Sequence, residues 1–126
     1  MSHTCKALVI HCIDFRLGKA IKKYLEDQNL LGDADIVSVA GAVKDLDYAM
    51  KQIDISKRLH NISEVILINH TDCGAYGGDD SKHETDLETA KRAILAKFPE
   101  LSVRKMIARL KAGQETSFLE IIGRRI

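Results

Sequence analysis

Two short polar segments contain the residues of this chain that are best suited to bind a metal ion. Cys12 follows one apolar run, while His70 and Cys73 follow another and are separated by two residues. Two thiols and an imidazole make a three-ligand set, and zinc sites that carry out chemistry usually have three protein ligands and an open fourth position. Thiolate and imidazole donors favour a borderline-soft ion. The pattern therefore predicts a reactive zinc ion held by these three residues.

A carboxylate and a guanidinium group follow Cys12 at alternate positions. Asp14 and Arg16 would point to the same side as Cys12 in an extended segment, so a carboxylate and a guanidinium would lie beside the ion. Asp14 could either ligate the zinc or pair with Arg16, and only the second arrangement leaves a coordination position for water. A plain surface ion pair would contribute little, so we expect these two residues to support the metal site.

Apolar runs and helical spacing alternate along the chain and predict the elements that position these side chains. Strand-like runs are bounded by polar or glycine-containing segments, and amphipathic patterns follow them. Phe98-Pro99 ends the last helical pattern. The predicted strands cover 6–11, 36–39 and 65–68, and the predicted helices cover 17–28, a segment through Leu46, Ala49, Met50 and Ile53, and 84–97.

This alternation predicts the fold class. We expect a single α/β domain over residues 1–126, with a central, mostly parallel β-sheet flanked by helices. The segment from Val103 to Ile122 favours a C-terminal hairpin that contains a glycine, although its first arm could be a short helix. Open α/β sheets place their sites at the carboxyl ends of the strands, so Cys12 meets His70 and Cys73 if the first and third strands are neighbours.

Composition narrows the classes of partner. The chain has 126 residues, 45% of them hydrophobic, and its 19 basic and 18 acidic residues give a formal charge of +1. The charge balance lacks the basic footprint that nucleic acids select, and no apolar run is long enough to cross a bilayer. Three cysteines in this setting indicate metal binding or reactivity rather than a disulfide framework. We expect a cytoplasmic protein that binds a small molecule.

The remaining polar residues receive more ordinary roles. His11 is expected to be packed or hydrogen-bonded on the side opposite to Cys12, and the unpaired Cys5 is expected to be structural. Tyr76 could line a pocket or belong to a plain loop, and Asp72 is given no catalytic role. Three histidines without a partner pattern are expected to face solvent, namely His3, His60 and His83.

The order Cys-x-Asp-x-Arg, then a strand, a helix and His-x-x-Cys-Gly resembles the β-class carbonic anhydrases. The resemblance runs from Lys6 to Gly74, and the segment from Val103 to Ile122 is similar to the final hairpin of that family. It implies a Zn²⁺ cofactor and the reversible hydration of carbon dioxide to bicarbonate and a proton, a lyase reaction. It also implies a homodimer or higher homo-oligomer with active sites at the subunit interface. The implied metal ligands are Cys12, His70 and Cys73, and the implied catalytic dyad is Asp14 and Arg16.

Other functions stay open beside this one. The family usually carries Arg-Asn-Ala-Gly after its second strand, where this chain has Ser38-Val39-Ala40-Gly41. A non-catalytic zinc-binding or interaction domain of the same fold is one alternative, and a zinc hydrolase acting on carbon disulfide or carbonyl sulfide is another. A cysteine phosphatase would need an arginine six residues after Cys12, and Gly18 stands there.

Overall fold

One five-stranded sheet forms the centre of the protein, in a computed structural model that describes residues 3–110 and 118–120. The strand order is β2-β1-β3-β4-β5; the first four strands are parallel and the fifth is antiparallel to β4. The strands are β1 (Ala7–His11), β2 (Ala34–Ser38), β3 (Glu64–His70), β4 (Ser102–Arg109) and β5 (Phe118–Glu120), and the helices are α1 (Gly18–Asp27), α2 (Leu46–His60) and α3 (His83–Lys97).

The two central strands, β1 and β3, are buried on both faces because helices cover each side of the sheet. Alternate residues of a strand point to opposite faces, so Leu8 and Ile10 join one hydrophobic cluster while Ala7 and Val9 join the other. Residues of α2 and α3 complete the first cluster, and residues of α1 complete the second. This arrangement explains why the predicted strands have continuous apolar sequences rather than alternating ones.

Local sequence signals set the ends of the helices. The Asp45 side chain accepts a hydrogen bond from the Tyr48 backbone N–H at 3.2 Å and caps the start of α2. Asn61, in the left-handed conformation, ends the same helix. The helices contain 10, 15 and 15 residues, and within the described part of the chain no helix is long and apolar enough to cross a membrane.

The predicted fold class is confirmed, with differences at the ends of elements. Residues 34–35 extend the second strand, and β3 continues through His70, so this ligand candidate lies in the strand rather than after it. The first arm of the closing hairpin is the strand β4 and not a short helix, and β5 pairs with it in antiparallel register. The turn predicted between the two arms, Ala112-Gly113-Gln114-Glu115, lies outside the described residues.

Candidate metal centre

The structure brings the three predicted zinc ligands together at the carboxyl ends of two adjacent strands. β1 and β3 pair in parallel, with His11 opposite Ile68, so Cys12 emerges beside the end of β3. His70 is the last residue of β3, and Cys73 follows in the next loop. One ligand atom from each of the three residues lies within 4.8 Å of the others. We call Cys12, His70 and Cys73 the carboxyl-end group.

His70 has the protonation pattern of a metal ligand. Its Nδ1 lies 2.7 Å from the Thr71 carbonyl oxygen, which can only accept, so Nδ1 carries the proton. The Nε2 atom is buried and has no hydrogen-bond partner. Burial lowers the pKa of His70 and favours the neutral ring. A buried lone pair without a partner is costly, and a metal ion beside Nε2 would remove that cost.

The two cysteine sulfurs are spaced as one tetrahedral ion requires. Their Sγ atoms lie 3.9 Å apart, and two sulfurs bound to the same tetrahedral zinc would be about 3.8 Å apart, given Zn–S bonds of about 2.3 Å. Burial and the neighbouring Cys12 raise the pKa of Cys73. Two thiolates in this buried position therefore need a cation to compensate them, and the donor set fits zinc.

Gly41 allows the loop after β2 to approach the thiol of Cys12. Its backbone N–H donates to the Cys12 sulfur at 3.4 Å. Gly41 has φ of +79°, and a Cβ there would lie 3.0 Å from the Lys44 Cβ and 3.1 Å from the Ala75 Cβ. Glycine is thus required both by the left-handed backbone and by the space. From the sequence alone, Gly41 was noted only as the last residue of Ser38-Val39-Ala40-Gly41.

Asp14 pairs with Arg16, which is the second of the two arrangements considered from the sequence. The Arg16 Nε donates to Asp14 Oδ1 at 3.0 Å, and Nη2 donates to Oδ2 at 2.8 Å. The Arg16 backbone N–H adds a third bond, to Oδ1, at 2.9 Å. A forked contact of this kind fixes both the position and the orientation of the carboxylate.

The paired carboxylate lies next to the imidazole of the carboxyl-end group. Asp14 Oδ2 is 3.8 Å from His70 Nε2, and the Asp14 side chain is only 14% exposed. Hydrogen bonds from Arg16 lower the pKa of Asp14 to about 2, against the opposing effect of burial. The group is therefore an ionised hydrogen-bond acceptor at neutral pH.

Asp72 holds Arg16 from the outer side, a role that the sequence did not indicate. The Arg16 Nη1 donates to Asp72 Oδ2 at 3.1 Å, and Nη2 donates to the Asp72 carbonyl oxygen at 3.0 Å. Hydrogen bonds to Asp14 and then to Asp72 raise the pKa of Arg16 above its usual range. The segment that contains His70 and Cys73 is thus tied to the segment that contains Cys12 and Asp14.

A buried polar network supports the loop behind Cys73. Asn69, 1% exposed, donates from Nδ2 to the Tyr76 hydroxyl at 3.2 Å and to His83 Nδ1 at 3.1 Å. The Tyr76 hydroxyl donates to Asp86 Oδ2 at 2.7 Å. Burial and the bond to Asp86 raise the pKa of Tyr76. Tyr76 therefore connects the loop that follows Cys73 to α3.

The prediction that His83 faces solvent is wrong, since this side chain is 1% exposed. His83 begins α3, and its spacing to Leu87, Ala90 and Ile94 places it on the buried stripe of that helix. The sequence contained this signal, but the predicted helix began one residue too late to include it.

The other histidines divide between expected and unexpected positions. His3 is exposed, as predicted. His11 donates from Nδ1 to the Cys12 carbonyl oxygen at 2.7 Å, so the hydrogen-bonded role fits it. The prediction that His60 faces solvent without a partner is wrong, because it is half-buried and its Nδ1 donates to Asp35 Oδ2 at 2.7 Å.

Comparison with known proteins identifies a family and agrees with the fold. A family model described as "Putative carbonic anhydrase" matches residues 2–112. That range includes both polar segments and four of the five strands. The chain belongs to this carbonic anhydrase family.

Curated relatives match at similar levels of identity. An uncharacterized protein of Rickettsia bellii is 32% identical over 117 residues, which covers 76% of this chain and 71% of that protein. The protein named Beta-carbonic anhydrase 1 of Mycobacterium tuberculosis is 33% identical over 86 residues, which covers 67% of this chain. The match covers 50% of the mycobacterial protein, so half of that relative has no counterpart in the alignment.

Solved structures of carbonic anhydrases share the fold. The enzyme from Glaciozyma antarctica superposes with a TM-score of 0.59 at 20% identity, covering 94% of this chain and 83% of that one. The enzyme from Streptococcus mutans gives a TM-score of 0.59 at 21% identity, covering 97% and 84%. At these identities the likeness concerns the fold alone.

Proposed function

We propose that Cys12, His70 and Cys73 hold a zinc ion and that the protein catalyses the reversible hydration of carbon dioxide to bicarbonate and a proton. The observation that carries this proposal is the buried, unpartnered Nε2 atom of His70, on an imidazole that has a ring nitrogen within 4.8 Å of both cysteine sulfurs. The family supports the same assignment, since its model is described as a carbonic anhydrase.

Zinc with three protein ligands supplies Lewis-acid activation of a water molecule near neutral pH. The chain's own residues provide the environment for that chemistry. Arg16 contacts both oxygens of Asp14, so it keeps this carboxylate from acting as a fourth ligand. A coordination position consequently stays available for the reacting water.

Asp14 is proposed to orient that water rather than to store its proton. A carboxyl group with a pKa of about 2 is a poor proton reservoir at neutral pH, because it stays ionised. It remains a strong hydrogen-bond acceptor, placed 3.8 Å from the His70 Nε2 atom. The proton produced by hydration therefore has to leave to another acceptor, such as buffer.

The test combines zinc content with stopped-flow carbon dioxide hydration. Wild-type protein, purified under reducing conditions, is compared with His70→Gln and with the matched control His3→Gln, an exposed histidine outside the carboxyl-end group. We expect His70→Gln to lose this zinc and the hydration activity, and His3→Gln to keep both. Protein without zinc in the wild type would contradict the proposal.

Two further outcomes distinguish the alternatives of the same fold. Full zinc occupancy without turnover on carbon dioxide, carbonyl sulfide or carbon disulfide would indicate a non-catalytic zinc-binding domain. Turnover of a sulfur-containing substrate alone would indicate a different small-molecule hydrolase. A cytoplasmic location and a homodimer also remain predictions, and light scattering of the purified protein tests the latter.

A further inference from the structure

Three potential ligands converge at the amino ends of the strands, opposite the carboxyl-end group. Cys5 precedes β1, Asp35 lies near the start of β2, and His60 ends α2. One ligand atom from each lies within 4.8 Å of the others, and all three residues are half-buried. We call Cys5, Asp35 and His60 the amino-end group.

One backbone hydrogen bond and one side-chain hydrogen bond hold the elements of this group together. The Cys5 backbone N–H donates to the His60 carbonyl oxygen at 3.1 Å, so a change of either side chain leaves this bond in place. Ser56, 4% exposed, donates from its hydroxyl to Asp35 Oδ2 at 2.6 Å. The helix end and the first two strands are therefore positioned before any ligand arrives.

The charges of the group disfavour a nucleophilic cysteine. Activated thiols have a lowered pKa and lie in electropositive surroundings. Here burial and the Asp35 carboxylate both raise the pKa of Cys5, which is the reverse of activation. A bound divalent cation would instead favour the thiolate form of Cys5, because a thiolate and a carboxylate together neutralise the charge of the cation.

We propose that the amino-end group binds a second zinc ion through the Cys5 sulfur, an Asp35 oxygen and a His60 ring nitrogen. Sulfur, nitrogen and oxygen donors in this combination suit zinc. Binding through Nδ1 releases the thiol proton of Cys5 to solvent, moves the ring proton of His60 to Nε2 and replaces the hydrogen bond between His60 Nδ1 and Asp35. Water occupies the remaining position, because the Asp35 and His60 side chains are 30% and 29% exposed. This proposal does not depend on the proposed function.

Cobalt(II) titration of a variant without the other two thiols tests the site directly. In Cys12→Ser/Cys73→Ser, Cys5 is the only cysteine left of three, so any thiolate-to-cobalt absorption must arise from it. We expect one cobalt ion per chain with this absorption. Adding His60→Gln or Asp35→Asn is expected to weaken cobalt binding at least tenfold.

Asp33→Asn is the matched control on the same background. It removes the same charge as Asp35→Asn from a neighbouring position, and the amide oxygen can still accept the Lys6 backbone N–H, now bonded at 3.1 Å. Cobalt affinity within threefold of the background would show that the donor set matters rather than local charge. Equal weakening by Asp33→Asn and Asp35→Asn would overturn the proposal.

Zinc stoichiometry of the intact protein provides a test that does not need the double variant to fold. After loading with zinc and removal of the excess, wild type is expected to hold two ions per chain and His60→Gln one. Circular dichroism checks that both are folded. A folded His60→Gln protein that holds as many zinc ions per chain as the folded wild type would overturn the proposal, whether or not the carboxyl-end group is filled.

Discussion

Two groups of potential metal-binding side chains lie at opposite ends of the same sheet, and their burial differs. In the carboxyl-end group, Cys12, His70 and Cys73 are 5%, 1% and 1% exposed. In the amino-end group, Asp35 and His60 have side chains about 30% exposed. Water can therefore compensate unpaired polar atoms in the second group but not in the first.

The two histidines show the consequence of this difference. His70 donates to a backbone carbonyl and leaves Nε2 buried and unpartnered, whereas His60 donates to the Asp35 carboxylate, itself a proposed ligand. Metal binding at the amino end must give up that charged hydrogen bond, of about 1.5–3 kcal/mol. We therefore expect zinc affinity to be roughly 10- to 100-fold lower at the amino end.

Replacing one thiol in each group should show the difference in zinc affinity between the two groups most clearly. Cys12→Ser is expected to weaken zinc binding at the carboxyl end more than about 100-fold, since loss of residues that only support a metal ligand already costs 10- to 100-fold. Cys5→Ser should remove only the weaker ion. Competition with a chromophoric chelator measures both affinities. Equal effects of the two substitutions on the tighter ion would refute the distinction.

Asp14→Asn should separate metal binding from turnover at the carboxyl end. We expect the zinc content to stay unchanged and hydration to fall about 10- to 100-fold, because an amide accepts hydrogen bonds more weakly and Arg16 loses the better buried of its two charged partners. Stopped-flow assays at matched zinc content measure this effect.

The matched control is Asp72→Asn, which removes a carboxylate from the other side of Arg16. The Asp72 side chain is 71% exposed, so its ion pair is worth at most about 1 kcal/mol and hydration should fall less than about fivefold. A larger loss in Asp72→Asn than in Asp14→Asn would contradict the role assigned to Asp14.

Tyr76→Phe should test whether the buried network stabilises the loop of Cys73. The substitution leaves one buried donor of Asn69 without its partner, so we expect a loss of about 1–2 kcal/mol in the free energy of unfolding. Urea denaturation of the zinc-free protein measures it.

Tyr48→Phe is the corresponding control, because Tyr48 is 42% exposed and such changes usually stay within about 0.5 kcal/mol. A neutral Tyr76→Phe would show that the network does not support the loop.

The sequence predicted the carboxyl-end group because its pattern is local. A cysteine after one strand and a His-x-x-Cys spacing after another need only two neighbouring strands to form a site, and β1 and β3 are neighbours. The same logic predicted the α/β class, since each apolar run was long enough to be recognised as a buried strand.

The sequence did not predict contacts that depend on the tertiary structure alone. Asp35 and His60 are 25 residues apart, and no spacing rule connects a strand residue to the end of the following helix. Asp72 likewise reaches Arg16 over 56 residues. His83 is different, because the helical stripe through Leu87 contained the information.

The smallest effect is expected from Ser56→Ala, which alters the amino end without removing a proposed ligand. The Ser56 hydroxyl bonds Asp35 Oδ2 at 2.6 Å, but this carboxylate is partly exposed and also bonded to His60, so water replaces the lost donor. We expect the free energy of unfolding to fall by about 1 kcal/mol or less in urea denaturation. Zinc stoichiometry should stay at two. Alanine fits the buried position of residue 56, and Asp35 keeps both of the oxygen atoms that can ligate zinc. Loss of the weaker ion in a folded Ser56→Ala protein would mean that Ser56 positions Asp35, and the amino-end group would then be less preorganised than its backbone contacts indicate.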